Sequence, residues 1–153
     1  MIQRIQSVFM AISIALIIAA FFIPLGYFSD ASETLTMTAY GVKDIAGTSM
    51  AGINTYWFII PLTLALAVTI KALFGYKNRA SQLRDIRLSF LGLAFSFVLM
   101  ALYVNSAQGV VVAKVFSLGI GFFLPFASLL CNWLAARAIR KDEALIKSVD
   151  RIR

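Results

Sequence analysis

The sequence predicts an all-α integral membrane protein: a four-transmembrane-helix bundle with a short β-containing outer loop. Three observations predict this class. Hydrophobic residues make up 61% of the 153 residues and charged residues only 14%, whereas soluble domains have about 45–50% and about 25%. Four apolar stretches are long enough to cross a bilayer. None of these stretches alternates with a period of two, so helices are favoured over a barrel.

The predicted spans form one membrane domain over residues 1–153. They cover residues 7–28, 56–76, 88–104 and 115–136. Each has close to the roughly 17–25 residues that a helix needs to cross a bilayer core about 30 Å thick. The first apolar run is longer than the core of a secretory signal peptide, so we expect it to be kept as a helix. Pro24, Pro61 and Pro125 are expected to kink their helices.

Basic residues predict the orientation of the spans. Eleven of the 14 lysines and arginines fall on one side: Arg4, Lys77, Arg79, Arg84, Arg87, Arg137, Arg140, Lys141, Lys147, Arg151 and Arg153. The other side has Lys43 and Lys114, and Lys71 lies within the second span. Because basic residues collect on the cytoplasmic side, both termini are predicted to be cytoplasmic and to face anionic lipid headgroups. The cytoplasmic segments are too short for a nucleic-acid-binding domain.

The outer loop, residues 29–55, is the largest segment between spans. Its stretch Thr34–Val42 alternates threonine with leucine, methionine and alanine, which is typical of a β-strand. We expect a short hairpin or paired strands that cap the outer ends of the helices.

The inner loop, residues 77–87, is predicted to belong partly to the third helix. Apolar residues recur at Leu83, Ile86 and Phe90, which indicates that this helix begins early, with Asn78 as a possible N-cap. The tail, residues 137–153, is predicted to continue the fourth helix into the cytoplasm.

The absent residue types limit the chemistry. The chain has no histidine and one cysteine, Cys131, which excludes Ser-His and Cys-His nucleophile pairs and thiolate metal clusters. We therefore expect no enzymatic activity and no cofactor. All seven acidic residues fall outside the predicted spans, which argues against an ion-coupled pump. An enzyme would need the outer-loop carboxylates Asp30, Glu33 or Asp44 to meet Tyr40 or Lys43.

Seven residues are candidate partner or lipid contacts: Lys71, Asn132, Arg137, Arg140, Lys141, Asp142 and Glu143. Lys71 either extends its ammonium group to the interface or binds an anion or lipid headgroup. Asn132 forms a polar patch with Ser128 and Cys131, which either bonds a neighbouring helix or contacts a partner or ligand. The basic cluster and the two acids that follow it either rest on anionic lipid or dock a partner.

Three stretches of the sequence resemble a known family. They are MIQRIQSVF at residues 1–9, YKNRASQLRDIRL at 76–88 and LAARAIRKDEALIKSVDRIR at 134–153. Together with the four spans, they resemble the uncharacterised Bacteroidota membrane-protein family known as domain of unknown function 4293. The resemblance implies a small four-helix protein of the bacterial inner membrane. It implies no activity and no catalytic residues.

Two function classes fit the sequence. The first is a non-enzymatic accessory or scaffolding subunit of a larger inner-membrane complex, which docks other membrane-protein subunits through its basic cytoplasmic surface. The alternative is a small oligomeric carrier, channel or lipid-binding membrane protein, in which Lys71 and Asn132 face one cavity.

Overall fold

The computed structural model describes residues 3–29, 34–43, 56–76, 78–110 and 115–150. Its elements in chain order are α1 (Gln3–Phe22), β1 (Gly26–Ser29), β2 (Thr34–Thr38), β3 (Gly41–Lys43), α2 (Tyr56–Phe74), α3 (Arg79–Val110), β4 (Val115–Leu118), a 3-10 turn (Ile120–Phe123) and α4 (Leu124–Asp150). All four α-helices are long and apolar enough to cross a membrane.

The four helices form a bundle in which α2 packs mainly on α3 and α1 mainly on α4. Its interior is apolar, with Ile17, Leu62 and Leu93 fully or almost fully buried midway along the helices. Large apolar side chains also cover the outside, and Phe74 and Leu91 are 73% and 64% exposed. A helix that is apolar all round suits a lipid environment, because water would penalise its outer face.

A small antiparallel sheet closes one end of the bundle, here named the sheet end. Its strand order is β3-β2-β1-β4, and Phe28 of β1 lies opposite Leu35 of β2 and Phe116 of β4. One face of the sheet is apolar and buried against Phe58 of α2 and Tyr103 of α3. The prediction of paired strands in the outer loop is therefore confirmed for β2 and β3.

Two predicted spans were wrong at the sheet end. The first helix ends at Phe22, not at residue 28, and Gly26–Ser29 form a strand. The fourth helix begins at Leu124, not at residue 115, and Val115–Leu118 form the strand that pairs with β1. The apolar composition concealed this change, because apolar residues occur both in β-strands and in membrane helices.

Two of the three prolines mark helix ends, where kinks were predicted. Pro24 follows α1, and its lack of an N–H group prevents the helix from continuing through it. Pro125 lies in the first turn of α4, where the missing donor costs nothing. Pro61 lies in the interior of α2.

The early start of the third helix is confirmed. The helix begins at Arg79 and extends to Val110, well beyond the predicted span of residues 88–104. Asn78 is its N-cap, because its Oδ1 accepts a hydrogen bond of 3.2 Å from the backbone N–H of Ser81. The fourth helix continues through the predicted tail as far as Asp150. The start of α3, the end of α4 and the start of α1 lie opposite the sheet, and we call this part of the molecule the basic end of the bundle.

Candidate functional site: buried polar side chains and a basic surface

Small polar side chains connect the helices inside the bundle. The hydroxyl groups of Ser13 in α1 and Ser128 in α4 are 2.7 Å apart, and those of Thr69 in α2 and Ser89 in α3 are 2.5 Å apart. All four residues are fully buried. Such pairs satisfy hydroxyl groups in an apolar interior and let helices approach closely.

Asn132 is the largest polar side chain in this group, and it is fully buried. Its Nδ2 donates to Ser89 Oγ at 3.0 Å, so the interhelical bond predicted for Asn132 is present. Within the described part of the chain, its Oδ1 has no hydrogen-bond partner. The predicted patch is nevertheless divided, because Ser128 bonds α1 while Asn132 bonds α3. A buried acceptor without a donor is costly, so a polar occupant beside Asn132 would be favoured.

Lys71 forms an ion pair with Asp85. Its Nζ lies 3.1 Å from Asp85 Oδ2 and 3.3 Å from Oδ1. The Lys71 side chain is 65% exposed, whereas that of Asp85 is only 7% exposed. Lys71 therefore neutralises a carboxylate of the neighbouring helix, a role that the two predicted alternatives for this lysine did not include.

Asp142 points into the bundle. It is 5% exposed, and Gln6 Nε2 of α1 donates a hydrogen bond to its Oδ2. None of the described residues donates to its Oδ1. Its place in an exposed docking cluster was therefore wrong. Ala135, Ile139 and Asp142 share one face of α4 by their i, i+4, i+7 spacing, and this spacing was the signal that could have revealed the inward orientation.

Both acids lie on helices that are long and apolar enough to cross a membrane. By length and composition, Asp85 falls within the candidate span Arg79–Gly109 and Asp142 within Ile120–Ala144. These candidate spans extend past residues 88 and 136, because α3 begins earlier and α4 continues further, as the sequence predicted for both helices. The outer-loop acids Asp30, Glu33 and Asp44 lie outside the described residues.

Exposed cations gather at the basic end. We call five of them the basic surface: Arg84, Arg87, Arg137, Arg140 and Lys141. The guanidinium carbon of Arg137 lies 5.6 Å from the centre of the Trp133 ring, a cation–π distance. Arg84 approaches Asp85 at 3.9 Å. The side chain of Glu143 is half-buried, whereas those of Arg4, Lys77, Lys147, Arg151 and Arg153 lie outside the described part of the chain.

A groove of about 330 Å³ runs between α3 and α4 at the basic end. Its wall includes the apolar side chains Phe90, Leu91 and Trp133, the buried Asn132, and two members of the basic surface, Arg87 and Arg140. We name it the α3–α4 groove. It brings together Asn132 and Arg140, which were predicted as separate candidates, and it adds Arg87, which was not predicted as a site residue.

Comparison with known proteins identifies a family. No curated protein matches the chain. A family model described as a domain of unknown function, DUF4293, matches residues 2–152, nearly the whole sequence. The chain therefore belongs to the DUF4293 family.

Proposed function

We propose that this protein is a non-enzymatic accessory or scaffolding subunit of a larger bacterial inner-membrane complex, docking through the basic surface. The observation that carries the proposal is the contrast between the two groups of polar residues. Those inside the bundle form pairs across helices, such as Ser13 with Ser128 and Thr69 with Ser89. The cations of the basic surface are exposed instead. The outward cations are the groups available to a protein partner.

The proposal places the basic end in the cytoplasm, with both chain termini, because basic residues collect there. We predict opposite accessibility for cysteines at the two ends. Tyr40→Cys in the exposed β2–β3 turn should react with an impermeant maleimide added outside spheroplasts. Ala80→Cys, exposed at the start of α3, should react only after the membrane is opened.

Both variants are made in a Cys131→Ala background, because Cys131 is the chain's single cysteine. The cysteine-free parent controls for background labelling. Labelling of both positions from the same side would contradict the proposed topology.

Docking is tested by reversing charge on one face of α4. Arg137 and Lys141 are exposed and four residues apart, so they lie on the same side of the helix. We predict that Arg137→Glu with Lys141→Glu lowers the amount of co-purified partner subunits by about tenfold or more. The partner surface that attracts two cations would then repel two glutamates of its own sign. The measurement is quantitative mass spectrometry after affinity purification from native membranes in mild detergent.

The control is Lys43→Glu, which changes a cation at the sheet end instead. Its partner recovery should equal that of the unmodified chain. If the α4 variant also recovers its partners fully, the basic surface is not the docking site.

A small carrier or channel is the second candidate, and one observation favours it. Asp85 and Asp142 are carboxylates buried within helices long enough to span a membrane, which is where proton- and ion-coupled proteins keep such groups. Four helices enclose little space, so this function would need several copies around one path. Mass measurement of the detergent-purified particle separates the candidates: a homo-oligomer alone supports a carrier, and unrelated subunits support the accessory role.

A further inference from the structure

The α3–α4 groove has a wall suited to an acyl chain. Phe90, Leu91 and Trp133 contribute apolar surface, and Leu91 and Trp133 are 64% and 45% exposed. The groove lies on the outside of the bundle, on two helices that are each long enough to cross a membrane. In a bilayer, an occupant of this wall is in contact with apolar side chains along its length.

Two exposed arginines are among the residues that line the groove. Arg87 of α3 and Arg140 of α4 enter its wall from opposite helices. Among the described residues, neither arginine pairs with Asp85, which is matched by Lys71 and approached by Arg84. Arg140 Nε donates a hydrogen bond to the carbonyl oxygen of Ala136 at 3.3 Å. Guanidinium groups bind phosphate oxygens in bidentate fashion, so two of them beside an apolar wall fit a phospholipid.

Asn132 supplies a second, independent observation. It is fully buried in the groove wall, and none of the described residues donates a hydrogen bond to its Oδ1. Its Nδ2 is already bonded to Ser89 Oγ of α3. Asn132 lines the same groove as Arg87 and Arg140, so an occupant with an O–H or N–H donor would satisfy the Oδ1 acceptor.

We propose that the α3–α4 groove binds an anionic phospholipid whose headgroup carries hydroxyl groups, of the phosphatidylglycerol type. Arg87 and Arg140 bind its phosphate, Asn132 Oδ1 accepts a hydrogen bond from a headgroup hydroxyl, and the apolar wall holds an acyl chain. The site requires no protein partner, so it stands or fails separately from the accessory role.

Trp133 provides a reporter within the groove. The chain has two tryptophans, and Trp57 lies near the sheet end, so a Trp57→Phe variant leaves Trp133 as the sole indole. This full-length variant is placed in phosphatidylcholine nanodiscs that contain a small fraction of one lipid with brominated acyl chains. The tested lipids are phosphatidylglycerol, phosphatidylmethanol, which is anionic but lacks a headgroup hydroxyl, and phosphatidylcholine.

We expect phosphatidylglycerol to quench Trp133 most, phosphatidylmethanol less and phosphatidylcholine least. Arg87→Gln with Arg140→Gln should weaken the preference for both anionic lipids by roughly fivefold per arginine. The matched control, Arg84→Gln with Lys141→Gln, removes the same charge from the basic surface outside the groove and should keep the preference. Asn132→Leu should make the two anionic lipids equal while both stay above phosphatidylcholine.

Five results would overturn the proposal. The first two are equal quenching by phosphatidylglycerol and phosphatidylcholine, and an equal loss of lipid preference in the control and groove variants. The third is a preference for phosphatidylglycerol over phosphatidylmethanol that Asn132→Leu retains. The fourth is absence of quenching because a second copy of the chain covers the groove. Cross-linking in the same nanodiscs identifies the last case. A fifth such result is an unchanged lipid preference in the variant with Arg87→Gln and Arg140→Gln, which would assign the phosphate to another site.

Discussion

Gly121→Ala is expected to disrupt the sheet end of the bundle and to lower its stability by about 3 kcal/mol or more. A methyl group at this position would place Cβ 2.4 Å from the carbonyl oxygen of Ile23 and 2.5 Å from that of Pro24. Both obstacles are backbone atoms, so no side-chain rotation relieves the clash. The close approach exists because the Gly121 N–H donates to Pro24 O at 3.0 Å.

The cost is large because this contact belongs to a chain of backbone hydrogen bonds. The Gly119 N–H donates to Leu25 O at 2.8 Å, and the Leu25 N–H donates to Met37 O at 2.7 Å. Moving the α1–β1 connection away from Gly121 would strain the bonds that join α1, the sheet and α4. The midpoint temperature of thermal unfolding in detergent should therefore fall by about 10 °C.

Gly109→Ala is the matched control. Gly109 also lies in a helical region, but an added Cβ there meets no atom within 4 Å. In a helix, alanine is favoured over glycine by roughly 0.5–1 kcal/mol, so this variant should unfold at the same or a slightly higher temperature. Equal unfolding temperatures for Gly121→Ala and the unmodified chain would show that the connection is not held as described.

Phe28→Ala is the second variant for which we expect a large effect. Phe28 is fully buried, and its ring centre lies 4.9 Å from that of Phe116 on the neighbouring strand. It also faces Leu35 in the sheet register. Removing a buried phenylalanine leaves a cavity and costs about 3–5 kcal/mol, and here the loss falls on the contact between the sheet and the helices.

Tyr27→Ala is the control because Tyr27 is the preceding residue of the same strand, on its opposite face and 38% exposed. Its truncation should change stability by less than about 1 kcal/mol. Limited proteolysis between β1 and β3, followed over time, should show rapid cleavage of the Phe28 variant alone. Similar cleavage of both variants would mean that the sheet is not anchored through its buried face.

Local signals in the sequence were sufficient to predict the four helices, though not all of their ends, and two of the strands. The length of the apolar runs predicted the helices, the side chain of Asn78 marked the start of α3, and alternation in Thr34–Val42 predicted the strands β2 and β3. Each signal depends on residues close together in the chain, so each could be recognised without knowledge of the fold.

The candidate site was predicted only in part. Arg137, Arg140 and Lys141 are exposed as their charge suggested, and Asn132 bonds a neighbouring helix. Asp142 is instead buried against Gln6, which lies 136 residues earlier in the chain. Charge alone does not indicate which face of a helix turns inward, because that depends on the side chains that another helix presents.

Local patterns in the sequence predicted four long apolar helices, a β-containing segment between the first two and a concentration of cations in the inner loop and the tail. The three-dimensional structure was needed to show that Gly26–Ser29 and Val115–Leu118 pair as strands, that Asp85 and Asp142 turn inward, and that α3 and α4 leave a groove beside Asn132. Backbone pairing, ion pairing and groove shape arise between segments far apart in sequence, whereas apolar length and charge are properties of the segments themselves.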